Sequence, residues 1–333
     1  MKARNVAFLL VTLVFNVIQD SEGVKISTFN LMPYPNGTVE KIDLSKAFVD
    51  LILTVDELTK AVKFELYTIS NPKTPEKLYY LDQSALSKSH FNASKPTRFV
   101  IHGWQNSGGS DVCVFIRDAY LAVRDYNVIT VDWSTFSSLD YVSARSNIVA
   151  VGQHVGKMID FLELKGASLK DMIIVGHSLG AHIAGIAARS AKNDVGAVVG
   201  LDPAGPLFYV VDTNARMKST DANYVQIIHT AAGRLGYDGN LGHVDFWVNG
   251  GFVQPGCGLD PAAYCAHLRA FEYFAESISH DSFRSLACTN YLLYETGACR
   301  FESSSKMGGC DLDVRATGTH YVQTNSARSF AKN

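Results

Sequence analysis

The sequence predicts an α/β fold in one domain: a mostly parallel central sheet with helices on both faces. Three observations carry that expectation. From residue 97 onward, short apolar runs alternate with longer segments of helical periodicity, the pattern of successive β-α-β units with right-handed crossovers. The runs are continuous in Val and Ile, as in strands covered on both sides. The chain has 333 residues, 47% of them hydrophobic, enough to bury a large core without a metal or a dense disulfide framework.

The elements follow in order. Residues 24–60 are weakly patterned and are read as wrapping the domain edge. Ala61 to Ile69 alternates apolar and polar positions, a half-buried strand, and Leu78 to Leu81 reads as a short second one. Arg98 to Gly103 reads as a buried strand ending at a glycine, and Val112 to Val123 as a helix. Asn127 to Trp133 is the next strand. Tyr141 to Leu164 carries Val151, Val155, Met158, Ile159 and Leu162 at helical spacing. Met172 to Gly176 is a strand and Leu179 to Ser190 a helix. Val198 to Asp202, Tyr224 to His229 and Val244 to Val248 complete the strands. The apolar spacing of Phe271, Phe274, Ala275 and Ile278 predicts a last helix. In such sheets ligands and chemistry gather at the carboxyl ends of the strands.

Lys and Arg (30) nearly balance Asp and Glu (32), a formal net charge of −2. A nucleic-acid binder needs surplus cations to displace counterions, so no nucleic-acid partner is expected. Lys2 and Arg4 precede an apolar run from Val6 to Ile18, followed by polar Gln19 to Glu22. The run is shorter than the roughly 20 residues that span a bilayer. Residues 1–23 therefore read as a secretory leader and 24–333 as the folded domain. A secreted, extracellular chain makes six cysteines meaningful. Cys257 with Cys265 and Cys288 with Cys299 would close short loops, leaving Cys113 with Cys310, although spacing alone permits 15 pairings. Asn36-Gly37-Thr38 and Asn92-Ala93-Ser94 are glycosylation sequons.

The sharpest motif is Gly176-His177-Ser178-Leu179-Gly180, a G-x-S-x-G between a buried strand and a helix. The chain must turn sharply there. Side chains at Gly176 and Gly180 would collide with backbone, and Ser178 must take a strained conformation that lifts its hydroxyl at the helix N-terminus. That arrangement suits a serine nucleophile, because the free N–H groups favour developing negative charge. A serine needs a base, and the base an orienting carboxylate. Asp202 ends the next strand, with Pro203 stopping the pairing, whereas Asp212 and Asp221 lie in polar loop text. For the base, His267 sits just after a disulfide-candidate loop and before a helix. His243 and His229, at strand ends, are the alternatives. The oxyanion needs two N–H donors. Leu179, directly after the nucleophile, supplies one, and the loop His102-Gly103-Trp104 places Trp104 N–H as the second. Its ring, with Phe208 and Tyr209, is expected to wall an acyl cleft.

Several stretches resemble the pancreatic lipase family of secreted animal lipases, closest to its short-lid, insect phospholipase A1-like branch. They are FVIHGW (99–104), VITVDW (128–133), IIVGHSLGAHIAGIAA (173–188), GLDPAGP (200–206), YVQIIHT (224–230), GHVDFWVNGG (242–251), QPGC (254–257) and CAHLRAFEYF (265–274), in family order. The resemblance implies an α/β-hydrolase fold and a serine esterase with the triad Ser178, Asp202 and His267. It implies oxyanion donors at Trp104 and Leu179, Cys257–Cys265 as the base of a lid, and Cys288–Cys299. The loop from Gly258 to Tyr264 is too short for an amphipathic flap of several turns. The loop between His229 and Val244 is also short. In the family, that combination accompanies open clefts and phospholipid substrates rather than triacylglycerols. Too few residues follow His267 for the C-terminal lipid-binding sandwich of roughly 100 residues, so no colipase partner is implied. The family's calcium loop is matched at Arg216 and Asp221. Lys218 stands where an acidic ligand is expected, and calcium wants several oxygen ligands; no metal or cofactor is expected. The implied partners are a phospholipid or acylglycerol substrate and a lipid interface.

Overall fold

A computed structural model describes residues 53–209, 214–280 and 282–332, with the backbone of short stretches between 17 and 43. Most of the expected leader and the Asn36 sequon lie outside the described residues, as does Asp212.

Two short antiparallel pairs come first: β1 (Val17–Asp20) with β2 (Gly23–Ile26), and β3 (Phe29–Pro33) with β4 (Val39–Asp43). Helix α1 (Val55–Ala61) follows, capped reciprocally by Thr54 and Glu57. Strands β5 (Lys63–Tyr67) and β6 (Glu76–Leu78), helix α2 (Gln83–Lys88), β7 (Thr97–Ile101), α3 (Asp111–Val123) and β8 (Asn127–Asp132) come next. Then α4 (Ser134–Ser137), α5 (Tyr141–Leu164), β9 (Ile173–His177), α6 (Leu179–Ser190), β10 (Ala197–Leu201), β11 (Tyr224–His229) and β12 (Val244–Val248) build the centre. Helix α7 (Tyr264–Ser279), β13 (Arg284–Ala287), α8 (Tyr291–Glu295), β14 (Ser304–Lys306) and β15 (Gly318–Val322) close the chain.

Eleven strands form one sheet in the order β14-β13-β15-β12-β11-β10-β9-β7-β8-β5-β6. From β8 to β15 the strands run parallel, and antiparallel strands flank them at both ends. This is the α/β-hydrolase arrangement. Alternate side chains of one strand feed two different cores. Phe99, Ile101, Ile174 and Val198 join a core with α5 and α6. Val100, Val175, Val199 and Leu201 join the other, with α3 and α7. Burial on both faces is why the strands read as unbroken apolar runs.

Two features were not legible in the sequence. β13, β14 and β15, with their serines, threonine and histidine, lack an apolar run, yet they extend the same sheet. The stretch after α7 therefore belongs to the main domain. The Cys113–Cys310 pairing is also incorrect: both thiols are free. Cys113 starts α3, fully buried, while Cys310 Sγ lies 3.8 Å from Arg124 just beyond that helix's end. The intervening helix rises roughly 16 Å, and a disulfide needs Cα atoms within about 7 Å. Cys257–Cys265 and Cys288–Cys299 are bonded, with Cα separations of 5.6 and 5.7 Å.

Candidate active site

Adjacent strands deliver the first two site residues. β9 pairs in parallel with β10, His177 opposite Leu201, so Ser178 and Asp202 leave the sheet side by side at its carboxyl edge. Both occupy left-handed backbone, φ 58° at Ser178 and φ 40° at Asp202, a conformation costly for side-chain-bearing residues and concentrated at functional sites. The elbow depends on glycine. A Cβ on Gly176 would lie 2.1 Å from Gly180 O, and one on Gly180 would lie 2.4 Å from both Ile101 O and His102 O. Gly103, which sequence reasoning passed over, is equally constrained: its Cβ would come 2.8 Å from Ser178 Cβ. The signal was present, since Gly103 ends a strand adjacent to the nucleophile's.

Asp202 is fully buried. Its Oδ1 accepts from the Thr230 and Ala231 amides at 2.8 and 3.0 Å, and its Oδ2 meets His267 Nδ1 at 2.5 Å. Burial pushes the carboxyl pKa up, but the bond and charge of His267, with the two amides, outweigh it and hold the pKa below the ordinary value. His267 is bonded here, and it shares one cavity with Ser178. His243 and His229 do neither: His243 Nδ1 accepts from Val225 N, and His229 Nε2 pairs with Asp245 Oδ1 at 2.8 Å. Asp221 is also elsewhere, bonded to Arg189.

One expectation about His267 fails. It lies within the first turn of α7, not in a preceding loop, and its N–H reaches Ala263 O. The helix starts earlier because Asp260 Oδ2 accepts from Ala266 N at 2.9 Å and the Cys257–Cys265 bond anchors that turn. Arg234 clasps the same loop, donating to the carbonyls of Asp260 and Pro261. Leu259 at its tip is fully exposed.

His177 packs behind His267. Its Nε2 donates to His267 O at 3.1 Å and the two rings lie 4.5 Å apart. Burial, reinforced by His267, pushes the His177 pKa down to about 3, so the ring is neutral. The loop bearing Trp104 is held by His102, whose Nδ1 donates to Gly103 O while its Nε2 accepts from Trp133 N. Leu179 N heads α6, among the helix N–H groups that lack an intrahelical acceptor.

The cavity at Ser178 is small, about 30 Å³, and walled by Trp104, Tyr141, Ala204, Leu235, Tyr264 and Leu268 around the polar groups. The expected wall is corrected in part. Phe208 is buried against His182, and Tyr209 stacks on Tyr237 outside the cavity. Leu235 and Tyr264, which the sequence reading did not single out, stand in the wall instead. Asn92 is exposed, with its Oδ1 taken by Ser94. The calcium-loop residues do not fit a cation, since Asp221 is turned to the Arg189 guanidinium and Lys218 N–H. Among the described residues no helix is long and apolar enough to cross a membrane.

Comparison with known proteins agrees with this architecture. A family model described as Lipase matches residues 49–330. Human pancreatic lipase-related protein 3 is 34% identical, over 81% of this chain and 64% of its own length. Human pancreatic triacylglycerol lipase is 34% identical, over 74% and 58%. Dog inactive pancreatic lipase-related protein 1 is 34% identical, over 71% and 56%. The chain thus spans about three fifths of the length of these relatives. The match covers the whole sheet and every residue of the site described above, and the chain belongs to the pancreatic lipase family.

Proposed function

We propose that the protein is a secreted serine lipase that hydrolyses carboxylic esters of lipids, with phospholipid cleaved at its first acyl position as the preferred reaction. The observation that carries the ester-hydrolase reading is that His267, bonded to buried Asp202, shares one cavity with a serine held at positive φ. Ser178 Oγ attacks the ester carbonyl while His267 Nε2 takes its proton. Asp202 keeps the imidazole oriented and stabilises its charged form. The Trp104 and Leu179 N–H groups receive the oxyanion, a contribution of about 3–4 kcal/mol per donor in comparable sites. His267 then protonates the departing alcohol, and water, deprotonated by the same imidazole, cleaves the acyl-enzyme.

The short loop between Cys257 and Cys265 favours phospholipid, because it leaves little protein above the mouth to exclude a polar head group. Two disulfides favour an oxidising, extracellular location. A triacylglycerol substrate is the second reading, favoured by the likeness to human pancreatic triacylglycerol lipase. A non-catalytic lipid carrier is a third, and one relative is described as inactive.

A fluorophosphonate probe should label the wild type and not Ser178→Ala. Equal silence of both proteins would overturn the esterase reading. Side-by-side turnover of phospholipid vesicles and triacylglycerol emulsions should favour the former, with the first acyl chain released from a mixed-chain phospholipid. Clear preference for the emulsion would overturn the phospholipid assignment.

A further inference from the structure

A second pocket shares no lining residue with the Ser178 cavity. It has a volume of about 210 Å³ and is framed by Arg216, Lys218, Ser219 and Asn240. A single water needs roughly 10–15 Å³ of such space, so this pocket has room for a polyatomic ion with its solvent. Among the described residues its lining holds two cations and a hydroxyl and no carboxylate.

Arg216 is pre-positioned. Its Nη1 donates to Phe208 O at 2.8 Å, and the guanidinium lies 5.1 Å from the centre of the Tyr237 ring. A guanidinium already ordered loses little freedom on binding an anion, and its planar donors match phosphate oxygens. Asp221, three residues after Lys218, does not line the pocket. It is buried, and its Oδ2 accepts from Arg189 Nη1 at 3.0 Å and from Lys218 N at 2.8 Å. The Asn240 side chain is engaged with Thr319 and Trp247, so it shapes the wall. The stretch from Arg216 to Ser219 therefore presents a basic lining that favours an anion.

We propose that the Arg216–Lys218–Ser219 pocket is an anion site for a phosphoryl group. Lys218 and Arg216 supply charge-assisted hydrogen bonds, and the Ser219 hydroxyl supplies a neutral one. Tyr237 links Arg216 by contact to the turn after Asp202. That ring carries Arg216 on one contact and stacks on Tyr209 at 4.9 Å on another, while Tyr237 N donates to Pro203 O, next to Asp202. Free phosphate and a lipid head group present the same chemistry. Affinity for inorganic phosphate is independent of the proposed phospholipid substrate; occupation by a head group rests on it.

Calorimetric titration of the full chain with inorganic phosphate, at constant ionic strength and neutral pH, tests the site. The wild type should bind saturably. Lys218→Gln should weaken binding about tenfold, the worth of one charge-assisted bond, and Lys218→Arg should restore most of it. Lys218 is exposed, so both variants keep the fold. Absence of saturable binding, or equal affinity in wild type and Lys218→Gln, overturns the proposal. A second arm separates the sources. If a head group occupies the pocket, Lys218→Gln raises KM for phosphatidylcholine several-fold and leaves the matching diacylglycerol unchanged. If phosphate binding falls and neither KM moves, the ligand is free phosphate. Should the wild type turn over no phospholipid, the substrate assignment fails while the titration still decides the site.

Discussion

Two buried histidine–aspartate pairs stand at neighbouring strand ends, and they do different work. His267 meets Asp202 at 2.5 Å, and His229 meets Asp245 at 2.8 Å. They are physically coupled, because Thr230, next to His229, donates its amide to Asp202. Their surroundings separate them. His267 shares a cavity with a serine hydroxyl. His229 is sealed, its ring stacked on Trp247 at 4.1 Å, while Asp245 accepts from the amides of Leu241 and Gly242. The second pair fastens the turn that presents amides to Asp202. The pairing of an imidazole with a carboxylate therefore does not by itself mark a site; what sets the first pair apart is a cavity shared with a serine hydroxyl.

The comparison breaks most visibly at the histidines. On the proposed mechanism, His267→Ala should lower ester turnover by about 10³-fold or more, and adding Ser178→Ala should cost little further, because the residues act as a unit. His229→Phe should keep turnover per folded molecule within about tenfold while losing about 1–3 kcal/mol of stability, since Asp245 is left with an unmade bond. Comparable rate losses in the two variants would end the distinction. The carboxylates repeat the test with smaller geometric change. Asp202→Asn should cost about 10⁴-fold in rate through the wrong imidazole tautomer, read by steady-state kinetics, and Asp245→Asn should act mainly on the unfolding midpoint.

The two disulfides sharpen the contrast further. Breaking either by Cys→Ser at both positions should cost about 2–3 kcal/mol, as expected for loops of this size. Only Cys257–Cys265 braces the turn bearing His267, so its loss should also lower kcat several-fold. Loss of Cys288–Cys299, which packs with Tyr321 at the sheet's far end, should leave kcat unchanged.

Acidification gives the smallest effect. Burial lowers His177 and His182 to about 3 and His154 to about 4. The unfolded chain takes up these protons near pH 6.5, while the native state refuses them until far lower. Stability should therefore decline as pH falls from about 6.5 toward 3. Among the described residues His154 has no hydrogen-bond partner at either ring nitrogen, and its ring lies 5.6 Å from that of Phe64. His154→Phe should flatten that decline in urea unfolding at neutral and acidic pH, without altering turnover. An unchanged acid slope would remove His154 from the account.

Much of the architecture was readable before folding. Helices α5 and α6 and strands β11 and β12 match the expected spans end to end, because doubly covered strands and long amphipathic helices impose strong periodicity. The polar strands β13 to β15 escaped notice, since an edge strand needs partners more than apolar side chains. His267 was misplaced into a loop because its helix begins under a carboxylate and a cystine, which periodicity does not register. The Cys113–Cys310 pairing came from elimination, and elimination ignores a helix standing between two thiols.

Local chemistry alone fixes the elbow: two glycines around a serine between apolar strand and helix leave one geometry open, because any Cβ there strikes backbone. Asp202 follows from the same logic, a carboxylate at the end of the adjoining strand. Choosing among the three histidines, walling the Ser178 cavity with Leu235 and Tyr264, and turning Asp221 inward while Arg216 and Lys218 frame a separate pocket all required the folded chain. Those outcomes depend on contacts between residues far apart in the polymer, and spacing along a chain carries no information about distance across it.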